Sequence, residues 1–188
     1  MLNITAVNGT VTVAMGDGLS ALAASPIRLY RELGELLQGR IRAGFEREQA
    51  PDGTRWTPLK PSTVRQRKGD AHPILQRKGR LKRITSRATA ADLTVGTNLP
   101  YAPAMQFGAE IVRKDAKLHF RRVGRGGKKG VRFARENDKR AKFGMRAGPY
   151  TIRIPARPFM FNPDGSLPDA WLQDIKTIVL RRLEHTNG

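Results

Sequence analysis

The 35 basic and 16 acidic side chains of this 188-residue chain are segregated along it, and that segregation limits what it can fold into. Residues 54–87 hold 11 basic and 1 acidic side chain, and residues 109–150 hold 14 and 4, so each segment carries +10. Residues 1–53, 88–108 and 151–188 are each within one charge of neutral, so the whole excess of +19 sits in two stretches. Burying so many unpaired cations would cost far more than folding returns. The two blocks therefore stand as islands of positive potential on a nearly neutral scaffold. A surface charged only for solubility would intersperse both signs, whereas single-sign blocks point to a polyanionic partner.

The length fits one domain with a sizeable core. No stretch reaches the roughly 18–20 apolar residues of a membrane span, and the start, MLNITAVNGT, lacks the charged and apolar regions of a signal peptide. The expectation is a soluble, unexported protein with no membrane partner. Zero Cys excludes a disulfide framework and Cys-based metal sites, leaving packing to hold the fold.

Residues 3–13, NITAVNGTVTV, alternate apolar and β-branched residues around Asn8-Gly9, which predicts a short hairpin. Ser25-Pro26 supplies a cap and a first-turn proline for a helix running to about Glu48. Its inward stripe is Tyr30, Leu33, Leu37, Ile41 and Phe45, widened by Leu29 and Leu36. Two strands, Ile84–Ala90 and Leu93–Thr97, are expected about an Ala91-Asp92 turn, and another through Tyr150, Ile152 and Ile154. A C-terminal helix from near Pro168, with Trp171, Leu172, Ile175, Ile178, Val179 and Leu183 on its apolar face, is expected to pack on the sheet.

The two basic segments lie between these elements. Residues 51–69, PDGTRWTPLKPSTVRQRKG, read as neither helix nor strand, yet they contain Trp56, whose burial brings roughly 150–250 Å² of mostly apolar surface. Either Trp56 anchors the proline-stiffened loop on a neighbouring subunit, or it fills the base of its own core. Residues 109–150 are too long for a structureless loop inside a compact domain. They are expected to form an arm: two strands, Ile111–Val123 and Val131–Phe143, with VGRGGKKG at the tip, or a segment that orders only on a partner.

No constellation for catalysis emerges. His72, His119 and His185 are scattered, without a second ligand at metal spacing. GRGGKKG lacks the spacing and the strand–helix context of a phosphate loop, and its glycines suit a turn. Ser62, Ser86 and Ser166 have no nucleophile elbow around them. The carboxylates do not gather as a metal-dependent nuclease would need. Expected, then, are no enzyme activity, no metal and no cofactor. Recognisable nucleic-acid modules are also missing, so any contact with DNA would be made through backbone charge without sequence readout.

One ordered set of residues carries a resemblance. Phe45, Pro51-Asp52-Gly53 with Trp56 and Leu59, Ile74-Leu75, Gly79-x-Leu81, Val95-Gly96-Thr97, Tyr101-Ala102, Gln106-Phe107-Gly108 and Ile154-Pro155-Ala156-Arg157-Pro158-Phe159 follow one another over about residues 26–161. In order and spacing they resemble the phage virion morphogenesis family, which includes Mu-like prophage morphogenesis proteins and P2-like tail-completion proteins. Met105 departs from that pattern, and the stretch between Gly108 and Ile154 is longer and more basic than it.

The resemblance implies a single α+β domain over residues 1–188. A small antiparallel sheet would be packed by the long helix and the C-terminal helix, with 109–150 inserted as a basic β-ribbon-like arm. It implies a ring-forming structural subunit, six-fold because tail tubes are, at the head–tail neck of a virion assembled in the host cytoplasm. Its partners would be further copies, other neck, tail or portal-adaptor proteins, and genomic DNA in the channel. On that reading Arg65, Arg67, Lys68, Arg77, Lys78, Arg80, Lys82 and Arg83 are candidates for facing DNA. Candidates for contacts between chains are Trp56, Arg121, Arg122, Arg125, Lys128, Lys129, Arg157 and Phe159. The alternatives are a non-virion protein that binds nucleic acid without regard to sequence and, behind it, a metal-dependent nuclease.

Overall fold

The long helix is where the apolar pattern is strongest, and it organises the rest. In the computed structural model, which describes residues 2–7, 10–16, 26–113, 116–125, 128–135, 137–139, 143–147 and 149–184, α1 spans Pro26–Arg47. Leu29, Tyr30, Leu33, Leu37, Ile41 and Phe45 are all buried along one stripe of it. That stripe lies across β3 (Thr85–Ala88) and β4 (Asp92–Gly96).

These strands belong to an antiparallel sheet of order β1-β2-β4-β3, in which β1 (Leu2–Val7) and β2 (Thr10–Met15) form the expected hairpin. Its pairing closes at Val7 with Thr10, and Asn8 and Gly9 lie outside the described residues. Register sets the buried face. Val11 opposes Val95 and Val13 opposes Leu93, so four fully buried side chains sit on the side that meets α1. Helix and sheet approach closely at Gly34, where an added Cβ would stand 3.1 Å from Leu93 Cδ1 and from Ser86 Cβ. Tyr30 Oη donates to the Ala91 carbonyl at 2.8 Å, fixing the helix to the β3–β4 turn.

Two short helices break the loops between these elements. Pro61–Gln66, α2, begins with its proline at the first position, and after its cap at Arg67 the chain turns away through Lys68 and Gly69, both with positive φ. Ala102–Phe107, α3, carries the buried Gln106. The C-terminal helix, α4 (Asp169–Glu184), buries Trp171, Ile175 and Val179 as expected. Its principal neighbour, however, is α1 and not the sheet. Arg181 and Arg182 pair with Glu32, and Arg40 with Asp174. The sheet face is already covered by α1, so the apolar stripe of α4 must find helix instead.

The chain divides into two compact units, residues 1–108 with 155–188, and residues 109–154. The second unit is built differently from a two-stranded arm. β5 (Ala109–Arg113) pairs with β9 (Tyr150–Ile154), and β6 (Ala116–Arg125) lies between β7 (Lys128–Ala134) and β8 (Phe143–Ala147). The expected Ile111–Val123 strand is thus two strands in separate sheets, and the Tyr150–Ile154 strand belongs to the inserted unit. Apolar cross-strand pairs explain that allegiance, since Ile111 opposes Ile152 and Ala109 opposes Ile154. Phe120 and Phe133 stack across β6 and β7 with ring centroids 4.8 Å apart.

Two glycines in α1 should respond with opposite sign. Gly34→Val, wedged against Leu93 and Ser86, is expected to cost about 1–3 kcal/mol by forcing the helix off the sheet. Gly39→Ala, with open space around the new methyl, should stabilise by about 0.5–1 kcal/mol. Denaturant unfolding of the two variants measures both.

Candidate functional site

The basic loop is a folded structure with pinned apolar points and cations between them. Its first pin follows α1 directly. Glu48 takes a positive φ of 55°, the chain reverses, and Thr54 N–H donates to Asp52 Oδ1 at 2.8 Å while Ala50 N–H donates to the Thr54 carbonyl at 2.7 Å. Trp56 N–H then reaches the Glu48 carbonyl at 2.9 Å. The indole is only 4 % exposed, meets Phe45 edge-on at 5.3 Å, and donates Nε1–H to the Pro158 carbonyl at 2.6 Å. Of the two readings of Trp56, the structure places it in the core of its own chain.

Pro158 lies on the segment that locks this arrangement. Phe159, Met160 and Phe161 are fully buried but pair with no strand, so their backbone groups need side-chain partners. Gln106 provides them. Its Oε1 accepts from Phe159 N–H at 3.0 Å and Met160 N–H at 3.2 Å, and its Nε2 donates to the Phe161 carbonyl at 2.7 Å. Arg157 N–H donates to the Met105 carbonyl at 2.8 Å. The Arg157 side chain, 6 % exposed, donates Nε–H to the Thr57 carbonyl at 2.8 Å and Nη2–H to the Pro58 carbonyl at 3.1 Å. Burial, and then the positive charge of Arg67, hold its pKa below the usual arginine value.

Three more pins follow along the chain, at Ile74, Leu81 and Ile84, all buried. Glu48 secures the first: its Oε1 accepts from Ile74 N–H at 2.6 Å, and its Oε2 lies 2.5 Å from His72 Nδ1. Gln76 Nε2 donates to the Phe45 carbonyl at 2.7 Å. Between pins the chain turns outward. Arg65, Lys68, Arg77, Lys78, Arg80, Lys82 and Arg83 are exposed, and Arg67 is half-buried with Nη1 donating to the Pro73 carbonyl at 3.0 Å. Among the described residues none of these eight lies within 4.0 Å of a carboxylate. The DNA-facing candidates therefore share one tethered loop and present uncompensated positive charge.

The candidates for contacts between chains separate into two groups. Trp56, Arg157 and Phe159 are buried inside their own subunit and offer little surface to a partner. Arg121 is partly buried, with Nη1 3.8 Å from Asp138, and Arg122 is exposed. Arg125, Lys128 and Lys129 lie where the β6–β7 pairing ends, next to residues 126–127, Arg125 opposite Lys128 and Gly124 opposite Lys129, and their side chains lie outside the described residues. Reading residues in isolation missed Gln106 and Glu48 as organising groups. The available signal was their setting: Gln106 beside Phe107-Gly108, and Glu48 at the end of the helical stripe.

No group of three His, Cys, Asp or Glu side chains among the described residues could hold a metal ion. No helix among them is long and apolar enough to cross a membrane.

The residues that make this junction, Phe45, Trp56, Gln106, Arg157 and Phe159, are those whose order suggested a family, and the phage virion morphogenesis family matches the chain over residues 8–184. The chain belongs to the phage virion morphogenesis family. No curated protein and no solved structure matches it. Membership gives the chain a role in phage structure or assembly. The match takes in both basic segments and the inserted unit, so these are parts of a family member and not an appended tail.

Gln106→Met keeps the side-chain length and removes the amide, leaving three buried backbone groups without partners. It should cost about 2–5 kcal/mol in unfolding experiments, and Trp56→Phe, which orphans one carbonyl, about 1–2 kcal/mol.

Proposed function

We propose that the chain is a structural subunit of the phage head–tail neck. Copies assemble as a ring, with six as the expected number, around the channel through which the genome passes. The loop of residues 54–87 faces the DNA, while the second basic unit meets neighbouring chains: further copies, and the acidic surfaces of tail, stopper or portal-adaptor proteins. The observation that carries this reading is a family member with eight loop cations, none within 4.0 Å of a carboxylate among the described residues, displayed on a loop tethered at Trp56, Ile74, Leu81 and Ile84. A flexible basic tail would bind DNA as well. A pinned one holds its charges at fixed positions, which a lining around a channel requires.

Charge magnitude supports loose contact. Neutralising six phosphates per subunit would change affinity by roughly 10³ between 50 and 200 mM salt. A ring gripping that strongly with every subunit would hinder the passage of DNA. Only part of the +19 need face the genome, with the rest setting pairing and register among proteins. The ring has no catalytic task.

Mass measurement of the purified protein, with negative-stain images of it and of virions, tests the reading. The expected result is a ring and a chain present in particles at the neck. A strictly monomeric protein absent from particles overturns it. A salt-titrated gel shift addresses the rival, a nucleic-acid-binding protein outside the virion. Sub-micromolar duplex affinity near physiological salt supports the rival, and weak binding that strengthens with protein partners supports the neck ring.

A further inference from the structure

A cleft of about 300 Å³ opens between the end of α2 and the turn at residues 73–77, lined by Gln66, Arg67, Lys68, Gln76 and Arg77, with Asp70 and His72 at its wall. We infer that this cleft seats one phosphate of a DNA backbone, held by the Arg67, Lys68 and Arg77 cations with the amide groups of Gln66 and Gln76. The inference deepens the reading of this loop as the DNA-facing surface and rests on it for the choice of DNA.

The cations arrive on fixed backbone. Arg67 N–H is shared between the Thr63 and Val64 carbonyls at 3.0 Å each, and its Nη1 is tied to the Pro73 carbonyl, which leaves most of its five donors uncommitted. Lys68 is held at a φ of 62° by Lys68 N–H to the Arg65 carbonyl at 3.1 Å and Gly69 N–H to the Val64 carbonyl at 3.0 Å. Leu75, in the turn that carries Gln76 and Arg77, has a φ of 59°. Two non-glycine residues in the left-handed region therefore lie in the segments that carry the cleft, a conformation that costs energy and persists because the surroundings impose it.

Charge supplies the ligand class. Three cations face one carboxylate, Asp70, and the field of Arg67 reaches far enough to act on buried Arg157. His72 is already engaged with Glu48. An anion that accepts several hydrogen bonds at once, as phosphate does from Arg and Lys, would neutralise the site. A free phosphate would use only the cleft. A nucleic-acid backbone would also use Lys78, Arg80, Lys82 and Arg83, which stand exposed just beyond it in sequence.

Two double variants that remove equal charge test this, with Arg67 left in place because it also pins Pro73. In fluorescence anisotropy with a short labelled duplex at low salt, Lys68→Gln with Arg77→Gln should weaken binding about tenfold. Arg80→Gln with Lys82→Gln should weaken it only about two- to threefold. Equal losses would mean a diffuse basic surface and overturn the seat. In parallel, inorganic phosphate titrated into the wild-type protein should shift the backbone amide resonances of residues 66–68 and 76–77, and no shift at millimolar phosphate also overturns it. Phosphate shifts without the difference in duplex affinity would assign the cleft to a free phosphate, not DNA, and overturn the proposal as stated. If the chain is absent from virions but shows both effects, the neck reading fails and the seat stands. If the chain is in virions but the losses are equal, the reverse holds.

Discussion

Phe159, Met160 and Phe161 cross the core outside any strand, and one side chain satisfies a backbone group of each. Buried peptide groups without partners cost about 1–3 kcal/mol each, so a segment of this kind survives only where side chains replace a sheet. Gln106 is that replacement, touching three consecutive residues with one amide. Its placement requires α3, and the segment in turn positions Pro158 for Trp56 and Arg157 for the Thr57 and Pro58 carbonyls. Remove the amide and the tether of the basic loop loses its foundation.

That dependence explains how a loop of charge +10 stays ordered against its own repulsion. Ion pairs contribute little to that order, since Arg65, Arg67, Lys68, Arg77, Lys78, Arg80, Lys82 and Arg83 have no carboxylate within 4.0 Å among the described residues. Apolar burial at Trp56, Ile74, Leu81 and Ile84 does, each worth about 1.5–3 kcal/mol, joined by hydrogen bonds from Gln76 and to Glu48. The repulsion that remains is what a polyanion would relieve. Folding energy is thus used to hold the positive field in place.

The inserted unit follows a different physical pattern. Its β5–β9 ribbon keeps Ile111, Val112, Tyr150 and Ile152 about 40–60 % exposed, and Phe133 on β7 is 72 % exposed. Small two-stranded ribbons are marginal alone. Glu110 and Arg153 face one another across the ribbon at 3.6 Å, an exposed pair that favours register more than stability.

By itself the sequence determined the parts governed by local rules: the α1 stripe from Tyr30 to Phe45, the hairpin about Asn8-Gly9, the β3–β4 turn, the apolar face of α4, and the two charge blocks. Spacing of apolar residues and turn chemistry are short-range, so they can be read in order along the chain. Family order was legible for the same reason, as a succession of small motifs. Only the tertiary structure decided that Trp56, Arg157 and Phe159 close on one another inside the subunit, that α4 lies on α1, and that Tyr150–Ile154 pairs with Ala109–Arg113. Each of those depends on contacts between residues from about 40 to more than 100 positions apart, as the 102-residue separation of Trp56 and Pro158 illustrates. No period or propensity records such a meeting, because what selects it is competition among all the buried surfaces and unpaired backbone groups for one another.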